Sequence, residues 1–466
     1  MDDKQKKFIK MTTEPVKKLV LELSVPTVIS MLVTALYNIV DTFFVGQINT
    51  NATAGVGIIL PVMSIIQAFG FFFGQGSGNF ISRMLGAKKE KEAEEMATTG
   101  SFLAFLFGAA ILVFGLLFGS TILGWLGAKP GKVEAETIQF ATDYYRVILI
   151  GAPFMCVSCV LNNQLRFQGN AMFSMVGLVS GAILNCALDP LFIFGFKMEV
   201  LGAALATIIS QFVSCVILYI GTLRSDSLKL KFRNFRPTLY NFKNICIGGA
   251  PSLFRQGLAS VATIFLNLAA GNAAPAGLAD ASIAAFSVVS KIMMFAFSAL
   301  LGFGQGFQPI CGFNYGAKKY KRVLDAYSFC VRLGLVILLV LSALGFVFSE
   351  QLVAIFRDDA AVIEIGSIAL RCQCCSFTLM AVVCMTNMLY QNIGKVVGAT
   401  LLAVARQGLM FIPAVLILPA ILTNSLWGVY LAQPAADLLA FALAVPLAII
   451  EVRGLKKKEI AIDAEH

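Results

Sequence analysis

Apolar runs of about 20 residues follow one another along almost the whole chain, and this repetition constrains the fold more than any single motif. A helix of about 20 residues crosses the hydrocarbon layer with every backbone hydrogen bond satisfied internally. Twelve such runs are predicted, at 19–45, 53–78, 95–119, 137–161, 171–195, 200–222, 244–269, 281–306, 324–348, 361–388, 395–418 and 424–450. The period-two alternation of an outer-membrane barrel is absent. Charged residues are only 13% of the 466, about half the share of a soluble domain. The expected fold is an all-α polytopic membrane protein with twelve transmembrane helices.

Loop charges orient the chain. Twelve spans put both termini on one side of the membrane. The segments on that side carry twenty-six Lys and Arg, including Lys4, Lys6, Lys7, Lys10, Lys17 and Lys18 at the start, and Arg166 in the turn after helix four. The opposite loops carry Lys129, Lys132, Lys197 and Arg357 alone. The positive-inside rule then places both termini in the cytoplasm. The first apolar run is long and lacks a small-residue cleavage site, so it reads as a spanning helix and not a signal peptide. The formal charge of +10 resides in these loops, so it points to membrane topology and not to nucleic acid. His466 is the single histidine, and its place at the end leaves no histidine relay or histidine metal site.

The chain repeats itself. F-F-F-G-Q-G at 71–76 matches L-G-F-G-Q-G at 301–306, and L-G-A-K-K at 85–89 matches Y-G-A-K-K at 315–319, both at an offset of 230. Arg146 with Arg371, Asn163 with Asn387, and Pro26 with Pro251 continue the register at offsets of 224 or 225. Two pseudo-symmetric lobes of six helices are expected: residues 19–222 (helices 1–6) and 244–450 (helices 7–12). A cytoplasmic tail at 1–18, a basic linker at 223–243 and a tail at 451–466 complete the division. Parallel repeats of this kind are a transporter design, with a site between or within the lobes. Gly74, Gly76, Gly304 and Gly306 follow no strand and precede no G-K-[ST], so they read as close-packing positions and not a phosphate loop.

Charged groups inside the spans mark the working parts. A carboxylate at a helix centre costs roughly 2.5–3.5 kcal/mol on insertion scales, yet Asp41 lies in helix one and Asp189 in helix five. Asn185 is one turn from Asp189 on the same face, and Thr207 lies about two turns into helix six. All four fall at one depth in the outer half of the first lobe. Two carboxylates, an amide and a hydroxyl are hard oxygen donors, suited to a small cation or a shared proton. Carboxylates crowded together away from water retain a proton more readily than free ones. The competing reading is structural: Asp189 paired with Arg146, or a helix-end aspartate at the interface. Tyr37, one turn from Asp41, is a candidate cavity wall. Pro26 either kinks helix one as a hinge or sits in its first turn.

The second lobe is different. Arg255, Lys291, Arg332, Arg371 and Arg406 lie in or near its spans, and only Asp437 is placed to pair with Arg406. The other cations are expected to snorkel, to pair with the first lobe or to meet an anionic group, giving this lobe a substrate-shaping role. The abundant Phe and Met supply an adaptable apolar surface. The C-x-x-C of Cys156 and Cys159 and the group Cys372, Cys374, Cys375 and Cys384 lie in apolar stretches and read as small buried hydrophobes.

S-V-P-T-V-I-S at 24–30, Y-N-I-V-D-T-F-F-V-G at 37–46, the L-G-A-K-K loop, R-F-Q-G-N-A at 166–171 and I-C-G-F-N-Y-G-A-K at 310–318 resemble the multidrug and toxic compound extrusion (MATE) family. The likeness runs through nearly the whole chain. The DinF/MepA-like branch fits better than the NorM-like branch, which is expected to carry acids in helices seven and ten. Here helix seven reads S-L-F-R-Q-G-L.

The resemblance implies a bacterial inner-membrane antiporter, not an enzyme, exporting organic and often cationic compounds against H⁺ or Na⁺. It implies an ion-coupling site of Asp41, Asp189, Asn185, Thr207 and Asn162. Of these, Asp41, Asp189, Asn185 and Thr207 would ligate sodium if sodium is the coupling ion. Tyr37, Tyr144, Arg255 and Lys291 are the expected substrate cavity, and Pro26 the hinge. No cofactor beyond the coupling ion is expected. The expected partners are amphipathic small molecules and the bilayer, with no nucleic acid, and the expected state is a monomer. A flippase for lipid-linked saccharides is the alternative, and the basic second lobe suits its anionic cargo. A membrane enzyme or channel lacks any catalytic constellation or pore motif in the sequence. Neither the substrate nor the choice between H⁺ and Na⁺ is written in these residues, nor whether Arg255, Lys291 and Arg406 touch cargo.

Overall fold

The computed structural model describes residues 3–129, 131, 133–225, 228, 230–275, 277–422 and 425–465. Lys132, Lys229 and His466, which enter the charge argument, lie outside them. Among the described residues twelve segments are long and apolar enough to cross a membrane, in the expected order. The first lobe supplies α2 (Val16–Gly46), α3 (Thr50–Gly86), α4 (Glu90–Leu117), α6 (Ala135–Phe167), α7 (Ala171–Pro190) with a π turn at Leu191–Gly195, and α8 (Glu199–Arg224). The second supplies α9 (Leu239–Asn272), α10 (Ala279–Gly316), α11 (Tyr320–Val347), α13 (Ala360–Phe377), α15 (Val396–Val404) joined by a π turn at Ala405–Met410 to α16 (Phe411–Ile421), and α17 (Leu426–Glu465). Shorter helices among the described residues include α1 (Asp3–Thr13), α5 (Gly119–Leu126) and α12 (Ser349–Phe356).

Two expectations about the helices need correction. Helix ten, read as one run at 361–388, is broken into α13 and α14 (Met380–Asn392). The joint tightens to three-residue hydrogen bonds, with Leu379 N donating to Ser376 O at 3.0 Å and Ala381 N to Thr378 O at 3.2 Å. Ser and Thr hydroxyls there compete for backbone and neighbouring acceptors, a signal that hydropathy does not carry. Several helices also run further than expected. The end of α3 carries Asn79, Ser82 and Arg83, which fall below any hydropathy threshold. Their polar groups bond to Gln75 O, Asn79 O and Asn392 O respectively.

The two halves share local geometry as well as sequence. Each G-A-K-K segment ends its helix with a left-handed lysine, Lys88 at φ 59° and Lys318 at φ 58°. Lys89 N reaches back to Met84 O at 2.8 Å and Lys319 N to Asn314 O at 2.8 Å, the six-to-one bond of a Schellman cap. Gly169 at φ 81° and Gly394 at φ 83° end α6 and α14 the same way. The polar tie is repeated too, in a register different from the one expected. Asn162 Nδ2 donates to Ser174 O at 3.0 Å and Asn387 Nδ2 to Ala399 O at 2.6 Å. The partner of Asn387 in the repeat is therefore Asn162 and not Asn163.

The lobes meet through α2 against α10 and α3 against α9 and α10. Their hydrogen bonds gather in the half of the bundle that carries α1 and the end of α17, called here the tail face. Ser24 Oγ donates to Phe303 O at 3.1 Å and Thr27 Oγ1 to Gly302 O at 2.6 Å. Glycine permits the approach: a Cβ on Gly76 would stand 2.3 Å from Ile245 O, and one on Gly306 2.3 Å from Ser24 Oγ. The packing reading of the glycines thus agrees with their surroundings.

Arg166 also lies in this seal. It is not in a solvated turn, as its position after helix four suggested, but in the last turn of α6 and 1% exposed. Its Nη1 donates to Gln305 Oε1 at 2.5 Å, and Nη2 to Asn163 Oδ1 at 2.7 Å and Gln308 Oε1 at 3.4 Å. Two of these amides belong to the other lobe. Its Nε has no partner among the described residues.

α1 closes the tail face from below. Lys7 Nζ donates to Asn170 Oδ1 at 2.5 Å on the first lobe. On the second, Asn314 Nδ2 donates to Met11 O at 3.1 Å and Lys319 Nζ to Thr12 O at 2.9 Å. Met11 and Thr12 are buried beneath.

Candidate functional site

α2 and α7 both run from the tail face, and Asp41 and Asp189 lie in the last turns of each. α8 runs back, which brings Thr207 to the same depth. Pro190 shapes the place. It has no N–H, so the carbonyl one turn earlier, at Cys186, loses its helical donor, and the chain widens into the π turn. Phe194 of that turn packs edge-on against Phe44 of α2, with ring centroids 6.4 Å apart. That contact fixes the ends of α2 and α7 remote from the tail face to each other.

Asn185 organises the centre. With its nitrogen turned to the carboxylate, Nδ2 donates to Asp189 Oδ2 at 3.0 Å and Oδ1 accepts from the Thr207 backbone N–H at 3.3 Å. Asp189, Asn185 and Thr207 are all buried. Asp41 stands within electrostatic reach of Asp189, and its Oδ1 is buried with no hydrogen-bond partner among the described residues. The Tyr37 and Tyr144 hydroxyls face Thr207 from α2 and α6, and Tyr144 also donates to Met63 Sδ at 3.6 Å.

Six of the sequence candidates therefore meet at one point: Tyr37, Asp41, Tyr144, Asn185, Asp189 and Thr207. A buried acceptor without a donor is costly. Asp41 Oδ1 offers a lone pair to a proton or a cation, and the amide and hydroxyl oxygens around it are neutral donors. Among the described residues no group of three or more His, Cys, Asp or Glu forms a metal cage, so the site has two carboxylates and otherwise neutral oxygens.

Other candidates lie elsewhere. Asn162 is not in the cluster. It bonds Ser174 near the start of α7, with its Nδ2 also 2.7 Å from Ser174 Oγ, and its twin Asn387 shows that this tie belongs to the repeated frame. Arg146 is exposed and makes no ion pair with Asp189 among the described residues. Pro26 lies ten residues inside α2, which is one helix from Val16 to Gly46, so it is not in a first turn. The neighbouring Ser24 and Thr27 bonds hold it against α10.

In the second lobe Arg406 Nε meets Asp437 Oδ1 at 3.0 Å, and Arg371 Nη2 meets Glu350 Oε1 at 2.9 Å. Arg371 thus pairs within its own lobe. Arg255 lies on α9 within electrostatic reach of Cys384, and Lys291 is exposed on α10; among the described residues neither bonds to the first-lobe cluster. All eleven cysteines are free thiols.

Sequence reasoning missed the role of Arg166 and the support that Gln433, Ser376 and Phe297 give to Arg406. The signal for Arg166 was its place three residues after Asn163, one helical turn on the same face.

Comparison with known proteins agrees with this architecture. The MatE family model matches residues 26–191 and 251–416, two copies set in the register of the repeat. The "Multidrug export protein MepA" of Staphylococcus aureus is 27% identical over 433 residues, covering 92% of this chain and 93% of that protein. The protein of the same name from Staphylococcus saprophyticus is 27% identical over 424 residues, covering 90% and 91%. A multidrug resistance MATE family transporter of the MOP superfamily, solved in an outward-facing conformation, superposes with a TM-score of 0.90 at 26% identity, covering 96% of this chain and 98% of that one. A MOP superfamily transporter from Pyrococcus furiosus superposes with a TM-score of 0.89 at 26% identity over 96% and 98%; its description gives it a binding pocket of reversed polarity. With a family model matched twice and a fold shared over nearly its full length, this chain belongs to the MatE family, whose members are membrane transporters and not enzymes.

Proposed function

We propose that this protein is an ion-coupled antiporter that exports organic small molecules across a bacterial inner membrane by alternating access. The observation that carries the reading is Asp41 Oδ1, without a partner among the described residues, beside the Asn185–Asp189–Thr207 cluster. A coupling ion, H⁺ or Na⁺, binds there and changes how α2 sits on α7. Pro26 is the hinge through which that change reaches the seal.

The tail face is cytoplasmic in this reading, so the protein is described in its outward-open state. The basic residues of the tail face and the outward-facing relative support that assignment. Residues 19–222 form the ion-coupling lobe and 244–450 the cargo-shaping lobe. The linker 223–243 and the tails 1–18 and 451–466 are cytoplasmic. The unit of transport is a monomer, and its cargo lies between the lobes, in contact with Tyr37, Tyr144, Arg255 and Lys291.

The test is ethidium efflux from loaded, energised cells, wild type beside Asp41→Asn, repeated with a protonophore and without sodium. Efflux abolished in the variant and under one ion condition identifies a coupled exporter and its ion. Efflux indifferent to Asp41 sinks the mechanism.

The arginines of the second lobe favour one other reading, a flippase for anionic lipid-linked saccharides. It predicts no dye efflux and rescue of a glycan-assembly defect.

A further inference from the structure

A second polar cluster lies in the other lobe, away from the ion site. Asp437 on α17 is 1% exposed and fully partnered. Its Oδ1 accepts from Arg406 Nε at 3.0 Å and from Gln433 Nε2 at 2.8 Å, and its Oδ2 accepts from Ser376 Oγ at 3.0 Å. Ser376 sits at the break between α13 and α14, and Arg406 on the π turn between α15 and α16. Two departures from regular helix therefore converge on one carboxylate. A wide π turn and a tight three-residue turn both re-aim side chains, and both recur at functional sites.

The result is an arginine held in one pose. Asp437 grips Nε, and the guanidinium lies 4.9 Å over the Phe297 ring. The remaining edge, with both Nη groups, bonds no protein atom among the described residues, and 15% of the side chain is exposed. Phe297 belongs to α10, the helix that meets α2 of the first lobe. Arg255, on the other interface helix α9, shares Cys384 as a neighbour with Arg406. The free edge of a planar fork is the part that recognises a carboxylate with two parallel bonds.

We propose that Arg406 is the anion-recognising residue of the second lobe, and that the favoured cargo is an amphipathic zwitterion. Its carboxylate meets the Nη edge of Arg406, and its cationic part turns to the acidic first lobe. Asp437 balances the charge of Arg406, so the cluster offers directed donors without a net positive field. That arrangement suits a dipolar molecule better than a bare anion. Removing Arg406 removes charge-assisted bonds that Lys, a point charge, does not replace in geometry. This inference rests on the export reading for its cargo, but its test stands on binding.

The experiment uses purified full-length protein in nanodiscs and fluorescence polarisation. The probes are a carboxyl rhodamine, which is zwitterionic, and its methyl ester, which is a cation. Wild type should bind the free acid more tightly than the ester. In Arg406→Gln that preference should fall about tenfold, with ester affinity within about twofold of wild type. If Arg406→Gln does not fold, the double variant Arg406→Gln, Asp437→Asn removes both charges together and should show the same loss.

An unchanged preference, an equal fall for both dyes, or no wild-type binding of the free acid would each overturn the proposal. Efflux of the ester from vesicles is scored separately. No efflux with the binding preference intact rejects the export reading and leaves the anion site standing.

Discussion

Replacing Gly76 with alanine should push the transporter out of the state described here. In that state the lobes touch so closely at the tail face that a Cβ at Gly76 would lie 2.3 Å from Ile245 O and 2.9 Å from Ile245 C. Both atoms are backbone, so no side chain can swing aside. Relief requires α3 and α9 to separate. Overpacking of this kind costs about 1–3 kcal/mol. The clash exists only while the tail face is sealed, so the cost falls on one side of the conformational equilibrium. A bias of 1–3 kcal/mol corresponds to roughly 5–150-fold in population.

Single-molecule energy transfer between dyes on unnatural side chains at the exposed positions Lys91 and Lys321 reads the separation of the lobes. Gly76→Ala should enrich the separated state and slow efflux. Gly57→Ala, where a Cβ meets nothing within 4 Å, should do neither. A folded Gly76→Ala protein with a wild-type distance distribution would refute the reasoning.

Three further outcomes follow from the same geometry. Arg166→Met should open the tail face by a similar factor, since each bond to a charged group is worth about 1.5–3 kcal/mol. Arg166→Lys should restore it only in part, because one ammonium does not reach Gln305 and Gln308 with the same fork; the energy-transfer assay reads both. Deleting Asp3–Thr13 should also raise the separated population, and a synthetic peptide of that sequence added in trans should lower it again. Asn185→Leu leaves Asp189 without its amide donor. It should cut ion-driven efflux about tenfold or more while dye binding without a gradient stays within about threefold.

The frame was legible because hydrocarbon imposes a blunt rule. Each of the twelve apolar runs became a span, and the G-A-K-K matches became twin caps at Lys88 and Lys318. The cluster around Asp41 and Asp189 was legible for the same reason, since charge inside an apolar run is conspicuous and helix direction sets its depth. Asn162 was misplaced because a matching motif gives residue type without partners, and its carbonyl partner at Ser174 is invisible in a one-dimensional pattern. The break at Thr378 escaped because no proline or glycine marks it, and the π turn at Ala405–Met410 because its one glycine, Gly408, also reads as a close-packing position. Arg166 escaped because charge near a helix end reads as solvated; only tertiary contact with Gln305 and Gln308 shows it buried.

The seat of α1 has a consequence for how the protein is made. Lys319 Nζ and Thr12 O are bonded across 307 residues, and Asn314 holds the preceding turn from almost as far along the chain. At about 5–20 residues per second, the ribosome needs roughly 15–60 s between delivering the helix and delivering its receptor. For that interval α1 has only half a dock, the part around Asn170. Its lysines and its Phe8 and Ile9 must wait at the lipid surface while eight spans are inserted. Closure of the tail face is thus an event of completion. Until α10 and the start of α11 are in place there is nothing to latch, and the newborn first lobe remains untethered below.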